Sequence, residues 1–232
     1  MEPPMIRFVL LDLDDTILDF HRAEAAAVSK TLSRLGVEPT AAVVERYSAV
    51  NLAHWQMLER GEITRRQVLI GRFRTLFSEL GADYDPEQAQ EIYEALLSQG
   101  HFFMPGAEAL LESLYGRYAL YIVSNGNLVV QEGRLRSANI SRYFEDIFIS
   151  EQLGADKPKK EFFDRCFARI PDFDPGSAIL IGDSPTSDIL GGINAGVRTC
   201  LYNPHRRPPH PTIRADHEIH ALSELPVLLE TL

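Results

Sequence analysis

Between residues 17 and 101 the sequence offers no strand, whereas on either side it alternates strand and helix. Five short apolar runs read as strands: Ile6–Leu13, Tyr118–Ser124, Ile147–Ser150, Ala178–Gly182 and Arg198–Tyr202. Several are nearly continuous in Val, Ile, Leu and Phe, the pattern of a strand buried on both faces. Helical stretches at Gly106–Tyr115, Leu128–Ala138, Lys160–Ile170 and Ser187–Ala195 separate most of them. Strand, helix, strand, repeated, implies a doubly wound α/β domain with a parallel sheet. The interval instead reads as four helices, Ala23–Leu35, Ala41–Glu59, Thr64–Leu80 and Pro86–Ser98, with Gly36, Gly61, Gly81 and Gly100 at their ends. Glycine suits the left-handed residue that closes a helix. The expected organisation is therefore an α/β core of residues 1–16 and 102–232 carrying a helical insert, residues 17–101.

Charge narrows the class of partner. The chain has 232 residues, 45% of them hydrophobic, enough to bury a core without disulfides. It carries 33 Asp and Glu against 23 Lys and Arg, a net charge of -10. Such a balance argues against nucleic acid and against anionic lipid, both of which must be met by excess cations. A small phosphorylated molecule stays open, because one local positive pocket or a metal suffices for it. Cys166 and Cys200 fit no zinc spacing and read as small buried hydrophobes. The start, Met1 to Arg7, has no basic region ahead of a long apolar run, so neither leader nor membrane span is expected and the protein reads as cytoplasmic. The Pro-rich stretch 203–211 reads as a loop, with Arg206 and Arg207 solvated on it.

In an open parallel sheet, ligands bind beyond the carboxyl ends of the strands. There the chain places Asp12-Leu13-Asp14-Asp15-Thr16, then Ser124-Asn125-Gly126-Asn127, then Gly182-Asp183-Ser184, with Asp188 following. Carboxylates crowded at one edge repel, and a hard divalent cation such as Mg2+ resolves the repulsion. Asp12 and Asp183 are the natural pair of ligands, and Lys157 is the expected further cation on that edge. Asp12 and Asp14, two apart at a strand end, suit a nucleophile and a proton donor. The backbone N–H groups of Leu13 and Asp14, with Ser124, Asn125 and Gly126, would cradle phosphoryl oxygens.

The set Asp12-Leu13-Asp14-Asp15-Thr16, Ser124, Lys157 and Gly182-Asp183-Ser184 with Asp188 resembles, in order, the four motifs of the haloacid dehalogenase superfamily in its phosphatase branch. The resemblance implies strand order 5-4-1-2-3 and a helical cap that closes over the substrate. It assigns Asp12 as nucleophile and Mg2+ ligand, and Asp14 as general acid and base with its backbone carbonyl on the metal. It assigns Asp183 as a metal ligand, Ser124 and Lys157 to the phosphate, and Asp188 to a position behind the ligands or beside Lys157. Thr16 would support the phosphate-binding loop by hydrogen bonds. In the insert, Val50-Asn51, Trp55, Gly61-Glu62-Ile63-Thr64 and Gly71-Arg72-Phe73 resemble the bacterial pyrimidine 5′-nucleotidases of that superfamily. This implies a nucleoside monophosphate as substrate, with Asn51 and Trp55 on the substrate side of the cap. Phosphoglycolate and sugar phosphates stand as alternative substrates. A receiver-type signalling domain shares the acidic cluster, but it has no proton donor two residues past the acceptor and is about half this length. The oligomeric state is left open.

Overall fold

A computed structural model describes residues 5–232. The composition of residues 1–4, part of the argument against a leader, concerns positions outside that range. The chain divides into two compact units. One runs up to Asp19 and continues through Phe103–Leu128 and Asn139–Leu232; the other is Phe20–Phe102 with Val129–Ala138.

The first unit is built on β1 (Phe8–Leu11), β2 (Ala119–Ser124), β3 (Asp146–Ile149), β4 (Ala178–Gly182), β5 (Arg198–Tyr202) and β6 (His217–Ile219). They form one sheet in the order β3-β2-β1-β4-β5-β6, with every neighbouring pair parallel. This is the expected 5-4-1-2-3 order with one further edge strand. β6 escapes a sequence reading because it is three residues long and Ile219 is its one buried side chain. Asp216 ties it on: one carboxylate oxygen accepts from both the backbone N–H and the hydroxyl of Thr199 at 2.9 Å.

β1 is central because every one of its side chains, Phe-Val-Leu-Leu, is buried. Leu11 lies opposite Ile122 on one side and Ile181 on the other, so the carboxyl ends of β1, β2 and β4 come level. Phe8 and Leu10, Tyr121 and Val123, and Ala178 and Leu180 share a hydrophobic cluster with Phe162, Phe163 and Cys166 of α8 (Lys160–Phe167). Alternate residues of a strand share a face, which is how three strands feed one core. Burial of each such large side chain contributes about 1.5–3 kcal/mol. Helix α9 (Leu190–Ala195) approaches through a glycine pair: a Cβ on Gly191 would lie 2.7 Å from the Phe163 ring, and one on Gly192 2.5 Å from the Thr199 methyl. Cys166 and Cys200 are both buried and unpaired with each other.

The second unit holds α1 (Phe20–Arg34), α2 (Ala41–Glu59), α3 (Arg65–Leu80) and α4 (Pro86–Leu97). Their starts follow the capping signals. Thr40 accepts from Val43 N, Asp85 accepts from Glu87 N, and Thr64 forms a capping box with Gln67. Helix α6 (Leu128–Ala138), which follows β2, contributes Val130 to this unit's apolar cluster. Among the described residues, no helix is long and apolar enough to cross a membrane.

Candidate active site

Asp12 is the first residue past β1, and its N–H still donates to Ile181 O at 2.9 Å. The ladder therefore holds its backbone in strand geometry while the side chain stands at the sheet edge. Beyond it the chain turns sharply: the N–H groups of Ile17 and Leu18 both donate to Leu13 O, and Asp15 takes a left-handed φ of 58°. Asp tolerates that region better than most side chains. The strand expected to reach Leu13 ends at Leu11 because of this turn. Leu13 is buried within it, and Asp14 is half-buried.

Lys157, 2% exposed, reaches this edge from the loop that precedes α8. Its ammonium donates to Asp12 Oδ1 at 2.7 Å, Asp188 Oδ1 at 2.7 Å and Val123 O at 2.8 Å. An ammonium has three hydrogens, and all three are engaged, so the group is fixed in direction as well as position. The loop is stapled by Asn125, whose Oδ1 accepts from Lys157 N and whose Nδ2 donates to Lys157 O, both at 2.8 Å. The side chain of Asn125 is thus committed to Lys157, with a longer contact from Nδ2 to Ser187 Oγ at 3.4 Å. Ser124, buried, closes β2 beside Asn125.

Asp188 arrives differently from the expected continuous helix Ser187–Ala195. Residues Pro185–Ile189 form a wide turn in which Asp188 N and Ile189 N both donate to Ser184 O, and α9 begins only at Leu190. Wide turns of this kind recur at functional sites. This one turns the Asp188 carboxylate inward, with Oδ1 on Lys157 and Oδ2 accepting from Ser184 N at 3.1 Å. Gly182 makes room: a Cβ there would lie 2.2 Å from Asp188 Oδ2.

Carboxylate oxygens of Asp12, Asp183 and Asp188 lie within 4.8 Å of one another. Burial pushes the Asp12 carboxyl up to about 8, opposed by Lys157 and reinforced by Asp188 and Asp14. Burial likewise raises Asp183 well above the usual carboxylate range, with Asp188, Asp12 and Asp15 adding to it. Burial works against the charge on Lys157, but Asp12 and Asp188 outweigh it and hold the ammonium above its ordinary value. Lys157 is thus a fixed, buried cation set against three crowded carboxyl groups, and the charge on Asp183 is countered only from the exposed Arg207 side chain. Hard oxygen donors with uncompensated negative charge fit a hard divalent cation. Asp12 and Asp183 are the members suited to ligate it, because both Asp188 oxygens are engaged with Lys157 and Ser184.

Two expected positions differ in the structure. Among the described residues Thr16 Oγ1, which is buried, has no hydrogen-bond partner, so the turn is held by the backbone bonds to Leu13 rather than by this hydroxyl. Asn51 is 2% exposed, and its amide is committed on both sides: Nδ2 donates to Glu24 Oε1 at 2.6 Å and Oδ1 accepts from Arg72 Nη1 at 2.8 Å. It is an interior residue of the helical unit, tied down by two buried charges, and not a free substrate contact. Trp55 is half-buried on α2 with the Arg65 guanidinium 5.5 Å from its ring centroid. Arg207 is exposed, as expected for a solvated loop, and its guanidinium lies 3.8 Å from Asp183. A Pro-rich loop gives no sequence signal of where its cations land.

Residues 6–196 match the family model for haloacid dehalogenase-like hydrolases. The chain belongs to this family. Among the relatives of this hydrolase is the HAD-hydrolase YfnB of Bacillus subtilis, 40% identical over 94% of this chain and 93% of the relative. A crystal structure of YfnB bound to magnesium superposes with a TM-score of 0.93, covering 97% of this chain and 99% of that one at 39% identity. The pyrimidine 5′-nucleotidase PynA of Streptococcus pneumoniae is 37% identical over 94% of this chain and 93% of its own length. The pyrimidine 5′-nucleotidase YjjG of Escherichia coli is 31% identical over 96% and 97%.

Proposed function

We propose that this hydrolase is a Mg2+-dependent phosphatase of nucleoside 5′-monophosphates, with pyrimidine nucleotides preferred. The observation that carries the chemistry is the Lys157 ammonium locked between Asp12 and Asp188 at 2.7 Å each, at the carboxyl edge of the central strand beside Asp183. The substrate class rests on PynA and YjjG, which resemble this chain over nearly its whole length.

An Asp12 carboxylate oxygen attacks phosphorus, and the bond from phosphorus to the nucleoside 5′-oxygen breaks. Asp14 gives its proton to the departing alkoxide, releasing the nucleoside. Asp14, now a carboxylate, takes a proton from a water that attacks the phosphorus of the aspartyl phosphate; inorganic phosphate leaves and the Asp12 carboxylate is regenerated. Lys157 holds Asp12 in direction and offsets the negative charge gathered there. The N–H groups of Leu13, Asp14, Asn125 and Gly126, with Ser124, hold the phosphoryl oxygens. Mg2+ held by Asp12 and Asp183, with the carbonyl of Asp14, would supply positive charge to the phosphoryl group in flight.

The test is phosphate release with Mg2+ across uridine, thymidine, adenosine and guanosine monophosphates, hexose phosphates and phosphoglycolate. The reading predicts that a pyrimidine nucleotide gives the highest kcat/KM and that excess EDTA stops turnover. A sugar phosphate or phosphoglycolate above every nucleotide would discard the nucleotidase assignment and leave the phosphatase chemistry in place.

A further inference from the structure

Lys157 is taken by Asp12 and Asp188, and Asp183 has a different cation beside it. Arg207 Nη1 stands 3.8 Å from Asp183 Oδ2, with the arginine side chain 57% exposed and the carboxylate 21%. The loop that delivers Arg207 is closely tethered. Asn203, buried at the end of β5, accepts from Arg207 N on Oδ1 at 2.8 Å and donates from Nδ2 to Arg207 O at 3.0 Å. The same Nδ2 donates to Glu218 Oε1 at 2.7 Å, and Asn203 N donates to Ile219 O at 2.8 Å, which fastens the loop to β6. Between the two, Arg206 takes a left-handed φ of 50°, uncommon for a side chain of its type. The surroundings thus enforce the backbone course that brings Arg207 to the acidic edge.

We propose that Arg207 is a tethered counter-ion of Asp183 that competes with the divalent cation for this carboxylate. The inference rests on the metal reading given under Proposed function. Arg207 offsets part of the negative potential at Asp183 while no metal is bound and repels a dication that arrives there. The chain consequently holds its metal less tightly than its carboxylates alone would. Arg207 touches neither the attacking oxygen nor Lys157, so it is a positioning residue whose effect is read in metal affinity.

The experiment is calorimetric titration of Mg2+ into the full chain at low ionic strength, for the wild type, Arg207→Ala, Arg207→Lys and Asp183→Asn. Removing one unit charge at this distance from a partly solvated site should lower the Mg2+ Kd of Arg207→Ala about 3- to 10-fold. The difference should shrink in high salt. Arg207→Lys, which keeps the charge, should stay close to wild type. Asp183→Asn should bind Mg2+ far more weakly than any of these. An Arg207→Ala Kd equal to or weaker than wild type overturns the counter-ion, as does a Lys variant that binds as tightly as Ala. If Asp183→Asn still abolishes binding in that case, the metal reading survives. A wild type that takes up no Mg2+ overturns both.

Discussion

Lys157 in the α/β unit and Arg72 in the helical unit are both almost completely buried. Their surroundings differ in kind. Lys157 meets carboxylates directly, Asp12 and Asp188, with Asp183 adjoining. Arg72 meets neutral amides: Nη1 donates to Asn51 and Nη2 to Gln90 at 2.7 Å, and only beyond them come Glu24 and Glu94. Its guanidinium also lies 4.7 Å from the Tyr93 ring centroid. The chain of bonds from Ser48 through Glu24, Asn51, Arg72 and Gln90 to Glu94 joins all four helices α1 to α4. In the helical unit Glu24 and Arg72 are spaced and satisfied by the amides of Asn51 and Gln90. The α/β unit crowds carboxyl groups around Lys157, and burial with their mutual repulsion pushes Asp12 and Asp183 towards the protonated form. Crowding of that sort has no value for stability, and it suits a site that must hold a dication and carry a phosphoryl group.

The contrast can be broken at several points. Asp12→Asn removes the attacking oxygen and one crowded charge together. Phosphate release should fall below detection while circular dichroism and thermal midpoint show an intact fold. Asp14→Asn should retain the fold and lose about 10²- to 10⁴-fold in kcat, the usual worth of a general acid and base. The helical unit should answer in stability instead. Arg72→Met leaves Asn51 Oδ1 and Gln90 Oε1 buried without their donor and removes the positive charge nearest to Glu24, at a cost of about 1–3 kcal/mol for each orphaned group. Urea unfolding measures it, and adding Glu24→Gln should recover part of the loss, because burial already pushes the Glu24 carboxyl up.

A further effect is a pH dependence. Asp12 is raised to about 8 and Asp183 is raised as well, so the folded state holds protons that the unfolded chain releases near pH 4. A raised carboxyl contributes stability below the unfolded value and loses it as pH climbs through the folded value. In excess chelator, thermal stability should therefore fall as pH rises from about 4 towards about 8. Asp183→Asn should flatten this slope. Metal binding must displace the same protons, so Mg2+ affinity should increase over the same interval. A slope of the opposite sign would mean that the carboxylates are better stabilised by the fold than their crowding suggests.

Much of this architecture was legible in the sequence, for identifiable reasons. Runs such as Phe8–Leu11 and Ala178–Gly182 are buried on both faces, and continuous hydrophobicity marks them. The four helices between residues 17 and 101 are punctuated by caps at Thr40, Thr64 and Asp85. At the site, acidic residues directly after apolar strands pointed to Asp12 and Asp183, because strand ends leave few places for a side chain to go. What escaped depends on contacts between residues distant in sequence. Arg207 on Asp183 is set by Asn203 and a loop tied to a three-residue strand. The wide turn at Pro185–Ile189 exists to aim Asp188, and helical periodicity runs straight through it. Asn51 carries no local mark that separates an interior amide from a substrate contact; Glu24 and Arg72, 27 and 21 residues away, decide it.

The direct test of Asp12 as the nucleophile is to trap the covalent state. The protein is mixed with Mg2+ and excess uridine monophosphate, quenched rapidly in acid, and reduced with borohydride, which converts an aspartyl phosphate to homoserine. Peptide mass spectrometry should find homoserine at position 12 in the wild type and none in Asp12→Asn or in enzyme quenched without substrate. Turnover under the same conditions with position 12 unmodified, or with the modification at Asp14 or Asp183, would contradict the assignment of Asp12.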